Sequence, residues 1–119
     1  MTAKSFKQIT ADIGQNMAKL RAEQPGTMEG FNAMAKSAMA AGELSAGTKE
    51  LIALAISVAS RCDGCIGFHT KALVRLGVPR AQVMETLAIA VYMGGGPSLM
   101  YAAAALDAYE QFGGATARA

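Results

Sequence analysis

From Phe6 to Tyr109 the apolar residues recur at three- and four-residue intervals, and the pattern is interrupted at Pro25-Gly26, Gly42, Gly64, Gly77 to Pro79 and Gly94 to Pro97. That period belongs to helices with one buried face, and no alternation of strand length competes with it. Phe6, Ile9, Ile13, Met17 and Leu20 open the series and predict a first amphipathic helix, which Pro25-Gly26 breaks. Thr27 is the expected N-cap of a second helix carrying Met28, Phe31, Met34 and Ala38, and Gly42 ends it. Ser45 or Thr48 caps a third helix through Glu50, Leu51, Leu54, Ile56 and Val58. A fourth runs from about Cys62 to Leu76, with Gly77 at C′, where a left-handed residue commonly ends a helix. Pro79 fits the first turn of a fifth helix bearing Val83, Leu87 and Val91. Gly94-Gly95-Gly96 reads as a flexible turn, Pro97 opens a sixth helix through Met100, Ala103, Leu106 and Tyr109, and the tail from Gly113 is expected to fray. The fold class is therefore all-α, a compact single domain of about six helices over residues 1–119.

Apolar residues make up 52% of the chain and charged residues only 17%. The excess implies surface hidden against other copies, with alanine-rich segments such as Ala102 to Ala105 packing on another helix or subunit. The formal net charge is +2 and its lysines and arginines form no stripe, which argues against nucleic acid. The longest strongly apolar run, Leu51 to Ala59, is about half the roughly 20 residues a membrane span needs. Lys4 and Lys7 are followed by polar residues rather than an apolar run, so no secretory signal is expected and the cytoplasm is the expected location. The eight methionines fall at helical spacing and read as core filler.

Chemistry concentrates in the only two cysteines. A disulfide closing so short a loop adds little stability, so a pair at this spacing points to redox or metal chemistry. Cys62, Cys65 and His69 stand at i, i+3 and i+7, one face of a helix. Cα atoms at i and i+3 lie roughly 5 Å apart, within reach of a disulfide, so dithiol and disulfide interconvert with little backbone movement. His69 lies one turn after Cys65 and can take its proton, while the helix N-terminus favours a thiolate at Cys62 and Asp63 opposes it. Zinc competes for the same residues, with Glu50 or water as a fourth ligand. Structural zinc sites draw ligands from separate elements, however, and these three come from one helix, so no metal or cofactor is expected. A thioredoxin reading would need a βαβ context that is missing here. By periodicity alone, Glu50 is an exposed first-turn carboxylate that complements the helix dipole.

Glu50, eleven intervening residues, and then Cys62-x-x-Cys65-x-x-x-His69 resemble the alkyl hydroperoxidase D family, within the larger carboxymuconolactone decarboxylase-like superfamily. The likeness extends through Thr48-Lys49-Glu50-Leu51-Ile52-Ala53-Leu54-Ala55 and Leu76-Gly77-Val78, and its core covers about residues 45 to 95. The resemblance implies an all-helical fold that assembles as trimers or hexamers, and thiol-dependent reduction of hydroperoxides. It implies that Cys65 is the peroxidatic cysteine, that Cys62 resolves its sulfenic acid and receives the reductant, and that His69 and Glu50 form a proton relay. The implied partners are a hydroperoxide substrate and a thiol or lipoyl-bearing protein reductant. Gly64 departs from the pattern, because relatives often carry Tyr before the second cysteine; Tyr92 or Tyr101 is the candidate to fill that space. The alternatives are a general disulfide reductase or redox sensor, or a non-redox lyase, which has no need of an adjacent dithiol.

Overall fold

A computed structural model describes residues 4–117. It contains six α-helices: α1 Phe6–Glu23, α2 Pro25–Met39, α3 Ala46–Ala59, α4 Asp63–Arg75, α5 Arg80–Gly94 and α6 Gly96–Gln111. No strand occurs among the described residues. Helices α3 and α6 touch each other and each packs on both α4 and α5, α1 packs on α4, and α2 lies at the periphery against α1 and α3. The main core cluster draws on every helix but α2, and Phe6, Leu54, Val58, Ile66, Leu73 and Val83 in it are each essentially inaccessible to solvent. Ala102 and Ala105 face this core within the chain, while Ala103 is exposed.

Helix starts follow the sequence where a side chain supplies the cap. Ser45 Oγ accepts from Thr48 N–H at 3.1 Å, so Ser45 rather than Thr48 begins α3. Ser5 Oγ does the same for α1, accepting from Gln8 N–H at 3.2 Å. Thr27 does not cap α2. Pro25 takes the first helical position, where its missing N–H costs nothing, so the helix begins three residues earlier and Gln24 is the cap. Pro79 likewise stands just outside α5, as its cap.

The three glycines at 94–96 do not form a flexible turn. Gly94 ends α5, Gly96 begins α6, and Gly95 alone joins them with φ +73° and ψ −155°. That backbone region is essentially restricted to glycine. A Cβ on Gly94 would also collide with the side chain of buried Ser98.

The tail is held further than its glycines imply. Gly114 N–H donates to Tyr109 C=O at 2.9 Å and Arg80 Nη1 donates to Ala115 C=O at 2.7 Å. Its last two residues lie outside those described. Tyr109 Oη donates to Val78 C=O at 2.9 Å, fixing α6 against the turn between α4 and α5. The amide of Gln111 clasps the N-terminal segment: its Oε1 accepts from Phe6 N–H and its Nε2 donates to Lys4 C=O, both at 2.7 Å.

No helix is long and apolar enough to cross a membrane among the described residues. Large apolar side chains nonetheless stand open on several faces, including Ile52 and Ile56 on α3, Ile89 and Met93 on α5, and Met100 on α6.

Candidate active site

The turn from α3 into α4 delivers the two cysteines. It closes α3 with paired bonds, Arg61 N–H to Val58 C=O and Cys62 N–H to Ser57 C=O. This double closure places the first of the two donor residues in the left-handed region, which glycine usually occupies. Arg61 occupies it here, with φ +57°. The same closure at the end of α4 uses Gly77, with φ +71°, as its position after Leu76 implies. A non-glycine residue in this conformation costs about 1–2 kcal/mol, so the backbone just before Cys62 is held in place by its neighbours.

Cys62 is the N-cap of α4 rather than its first helical residue, and its Sγ accepts from Cys65 N–H at 3.1 Å. The two sulfurs are joined as a disulfide, with Cα atoms 5.2 Å apart. Dithiol and disulfide thus fit the same helix start. When reduced, the Cys62 sulfur sits where unpaired N–H groups and the helix dipole favour an anion. Cys65 lies one turn before His69, within reach of its imidazole.

His69 Nδ1 lies 2.6 Å from Glu50 Oε2. With a proton on Nδ1 facing the carboxylate, a neutral imidazole presents Nε2 as its acceptor. Glu50 is not the exposed first-turn residue that periodicity implies. It lies in the second turn of α3, its side chain is 13% exposed and that of His69 is 30% exposed. A carboxylate so placed fixes both the tautomer and the orientation of the ring. The four residues Glu50, Cys62, Cys65 and His69 therefore come from two adjoining helices and the turn between them.

Neither tyrosine fills the space beside Gly64. A Cβ on Gly64 would lie 2.6 Å from the δ-methyl of Ile13, so α1 takes that place with an apolar side chain. Tyr92 points into solvent at 84% exposure, and the Tyr101 ring lies under Lys4 Nζ at 5.4 Å. Gly67, one turn on, allows the same close approach, since a Cβ there would lie 2.6 Å from Thr10 Cγ2.

Asp63, between the cysteines, is tied from outside the motif. Its Oδ2 pairs with Lys4 Nζ at 2.8 Å, while Oδ1 is buried with no hydrogen-bond partner among the described residues. The Asp63 carboxylate holds the Lys4 ammonium above its ordinary range. The ammonium in turn offsets the negative charge that would oppose a thiolate nearby. Nothing local in the sequence links residues 59 positions apart.

The cysteines and His69 open onto a trough of about 560 Å³ between α1, α2 and α4. Its walls are Ile13, Met17 and Leu20 of α1, Met28 and Phe31 of α2, and Phe68 of α4, with Arg21 and Asn32 also on its border.

Residues 25–108 match the model of the carboxymuconolactone decarboxylase family. A protein of unassigned function from Cupriavidus necator is 41% identical over 105 residues, covering 88% of this chain and 93% of that protein. A crystal structure of a carboxymuconolactone decarboxylase family protein from Legionella pneumophila superimposes with a TM-score of 0.89 at 55% identity, covering 90% of this chain and 96% of that one. A Thermotoga maritima protein, described as a family member with a possible part in antioxidative response, shares the fold. Its TM-score is 0.77 at 24% identity, over 86% of this chain and 87% of that one.

Proposed function

The chain belongs to the carboxymuconolactone decarboxylase family, and within it we propose a thiol peroxidase of the alkyl hydroperoxidase D type. The observation that carries this reading is the redox pair Cys62–Cys65 opening on one trough with His69, whose Nδ1 is bonded to Glu50. A lyase has no use for a dithiol at that place. The description of the Thermotoga relative is in keeping with it.

The cycle runs as follows. His69 Nε2 takes the Cys65 proton, and the thiolate attacks the outer oxygen of the hydroperoxide. The S–O bond forms as the O–O bond breaks, and the departing alkoxide takes the proton back from His69 to leave as an alcohol. Cys62, as thiolate, then attacks the sulfur of the Cys65 sulfenic acid. The S–S bond forms and hydroxide leaves, taking up a proton to become water. The peroxide gains two electrons and the dithiol loses two. An external dithiol, such as a lipoyl group on a partner protein, attacks Cys62, frees Cys65 and is itself oxidised to a disulfide. The cycle needs a compartment that supplies thiol reductant, as the cytoplasm does. It uses no cofactor or metal.

The open apolar faces on α3, α5 and α6 support assembly as a homotrimer or hexamer. Ile56 is 60% exposed, Ile89 63% and Met93 76%, a pattern fit for burial against further copies. Sedimentation at micromolar concentration is expected to give three or six chains, and a monomer would contradict this part of the reading.

The experiment for the peroxidase reading is cumene hydroperoxide consumption by reduced protein with a dithiol donor. Wild type should turn over steadily and Cys65→Ser should not. Equal rates in the two proteins would refute the assignment. No turnover in wild type, with the disulfide still cycling, would favour a disulfide reductase or sensor.

A further inference from the structure

Hydrogen peroxide and other small hydroperoxides have no use for an apolar trough of about 560 Å³ beside the thiols. Leu20 and Phe31 on its walls are 51% and 58% exposed, so the trough has apolar surface open to an occupant. Two side chains on its border, Asn32 and Arg21, are polar. Arg21 is the only permanently charged side chain along it, and none of the ion pairs among the described residues engages it. Its position is informative. Ile13 touches Gly64, between the two cysteines, and Arg21 follows eight residues later on the same helix. At 1.5 Å per residue, the two ends of this stretch are about 12 Å apart along α1. Apolar Met17 and Leu20 lie between them on the trough wall, and Phe31 faces them from α2.

We propose that the trough binds a straight-chain carboxylic acid. Arg21 holds the carboxylate, and the acyl chain lies along Met17, Leu20 and Phe31 to the cysteine turn. Resting on the peroxidase reading, the substrate class is then a long-chain fatty-acid hydroperoxide whose peroxyl group sits about 12 Å along the chain from the carboxylate, at mid-chain. Reduction at Cys65 gives the corresponding hydroxy fatty acid and, once Cys62 closes the disulfide, water. The guanidinium is suited to the task because it presents a planar fork to a carboxylate and is charged at every physiological pH. The carboxylate fixes which carbon of an otherwise featureless chain reaches the thiol.

Two measurements test this separately from the peroxidase reading. Calorimetric titration of the oxidised protein uses dodecanoate, below its micellar concentration, and dodecyltrimethylammonium as the cationic counterpart. Dodecanoate should bind the more tightly, and Arg21→Gln should weaken it about two- to fivefold, the usual loss for a solvent-exposed carboxylate–guanidinium pair. The same variant should not weaken the cationic amphiphile. Equal affinity for both amphiphiles, no binding, or dodecanoate binding that Arg21→Gln leaves unchanged would overturn the inference. In turnover, Arg21→Gln should raise KM for a mid-chain C18 fatty-acid hydroperoxide about two- to fivefold more than KM for cumene hydroperoxide, with kcat the lesser effect. Dodecanoate binding decides the site, and cumene hydroperoxide turnover by wild type decides the reading on which the substrate class rests.

Discussion

Replacement of His69 by asparagine is expected to slow peroxide consumption about 100- to 10,000-fold at neutral pH, the range for a positioned acid–base group. His69 serves twice in the cycle. It takes the thiol proton, without which Cys65 is a weak nucleophile, and returns it to the alkoxide as the O–O bond breaks. Because its Nδ1 is held 2.6 Å from Glu50 Oε2, the basic nitrogen is Nε2. Glu50→Ala should therefore lose activity through the same path, by about 10- to 100-fold, as when an orienting carboxylate is removed from a working imidazole. The His69→Asn deficit should shrink as pH rises, since alkali then ionises the thiol in place of the missing base. Initial rates with cumene hydroperoxide across pH provide the test. A His69→Asn protein with the wild-type rate at neutral pH would remove the imidazole from the mechanism. A deficit constant across pH would show that the ring acts by packing rather than by proton transfer.

Phe6→Ala should cost about 3–5 kcal/mol, the usual loss for a deleted core aromatic. Phe6 is 1% exposed at the first position of α1, in the main core cluster, and its N–H donates to Gln111 Oε1 at 2.7 Å. Its ring also borders the glycine face of α4, where a Cβ on Gly67 would lie 3.6 Å from Phe6 Cδ1. A small domain has only about 5–15 kcal/mol to lose, so the urea midpoint should fall sharply with the slope unchanged. A loss below 1 kcal/mol would mean that α1 contributes little to the common core.

Six helices could be read from apolar spacing because a helix repeats within a few residues, and most of their ends carry short-range signals. Ser45 and Gly77 act locally, one through its own hydroxyl and the other through its own φ. The misread ends depend on what lies across from them. Thr27 has the chemistry of a cap, but Pro25 starts α2 ahead of it. Three successive glycines look loose until Ser98 is seen packed where a Cβ on Gly94 would be. The tail from Gly113 reads as frayed in the sequence, but Arg80, from the start of α5, pins it.

The candidate site divides in the same way. The sequence spacing alone relates Cys62, Cys65 and His69, since all three fall within two turns. Glu50 is different: periodicity placed it in solvent, and only the family likeness brought it to the imidazole that it meets here at 2.6 Å. Lys4 beside Asp63, Ile13 against Gly64, and the trough between α1, α2 and α4 are contacts between distant segments. Their one trace in the sequence is the apolar face of α1, whose spacing marks a buried side without saying which helix covers it.

The central claim is that Cys65 is the thiol that meets peroxide and Cys62 the one that resolves it. Its most direct test is mass spectrometry of reduced Cys62→Ser treated with one equivalent of cumene hydroperoxide in the presence of dimedone, which traps sulfenic acids. The account predicts a near-stoichiometric adduct on Cys65, and none in wild type, where Cys62 closes the disulfide first. An unmodified Cys65 in that variant, together with an adduct on Cys62 in Cys65→Ser, would reverse the two roles and contradict the account.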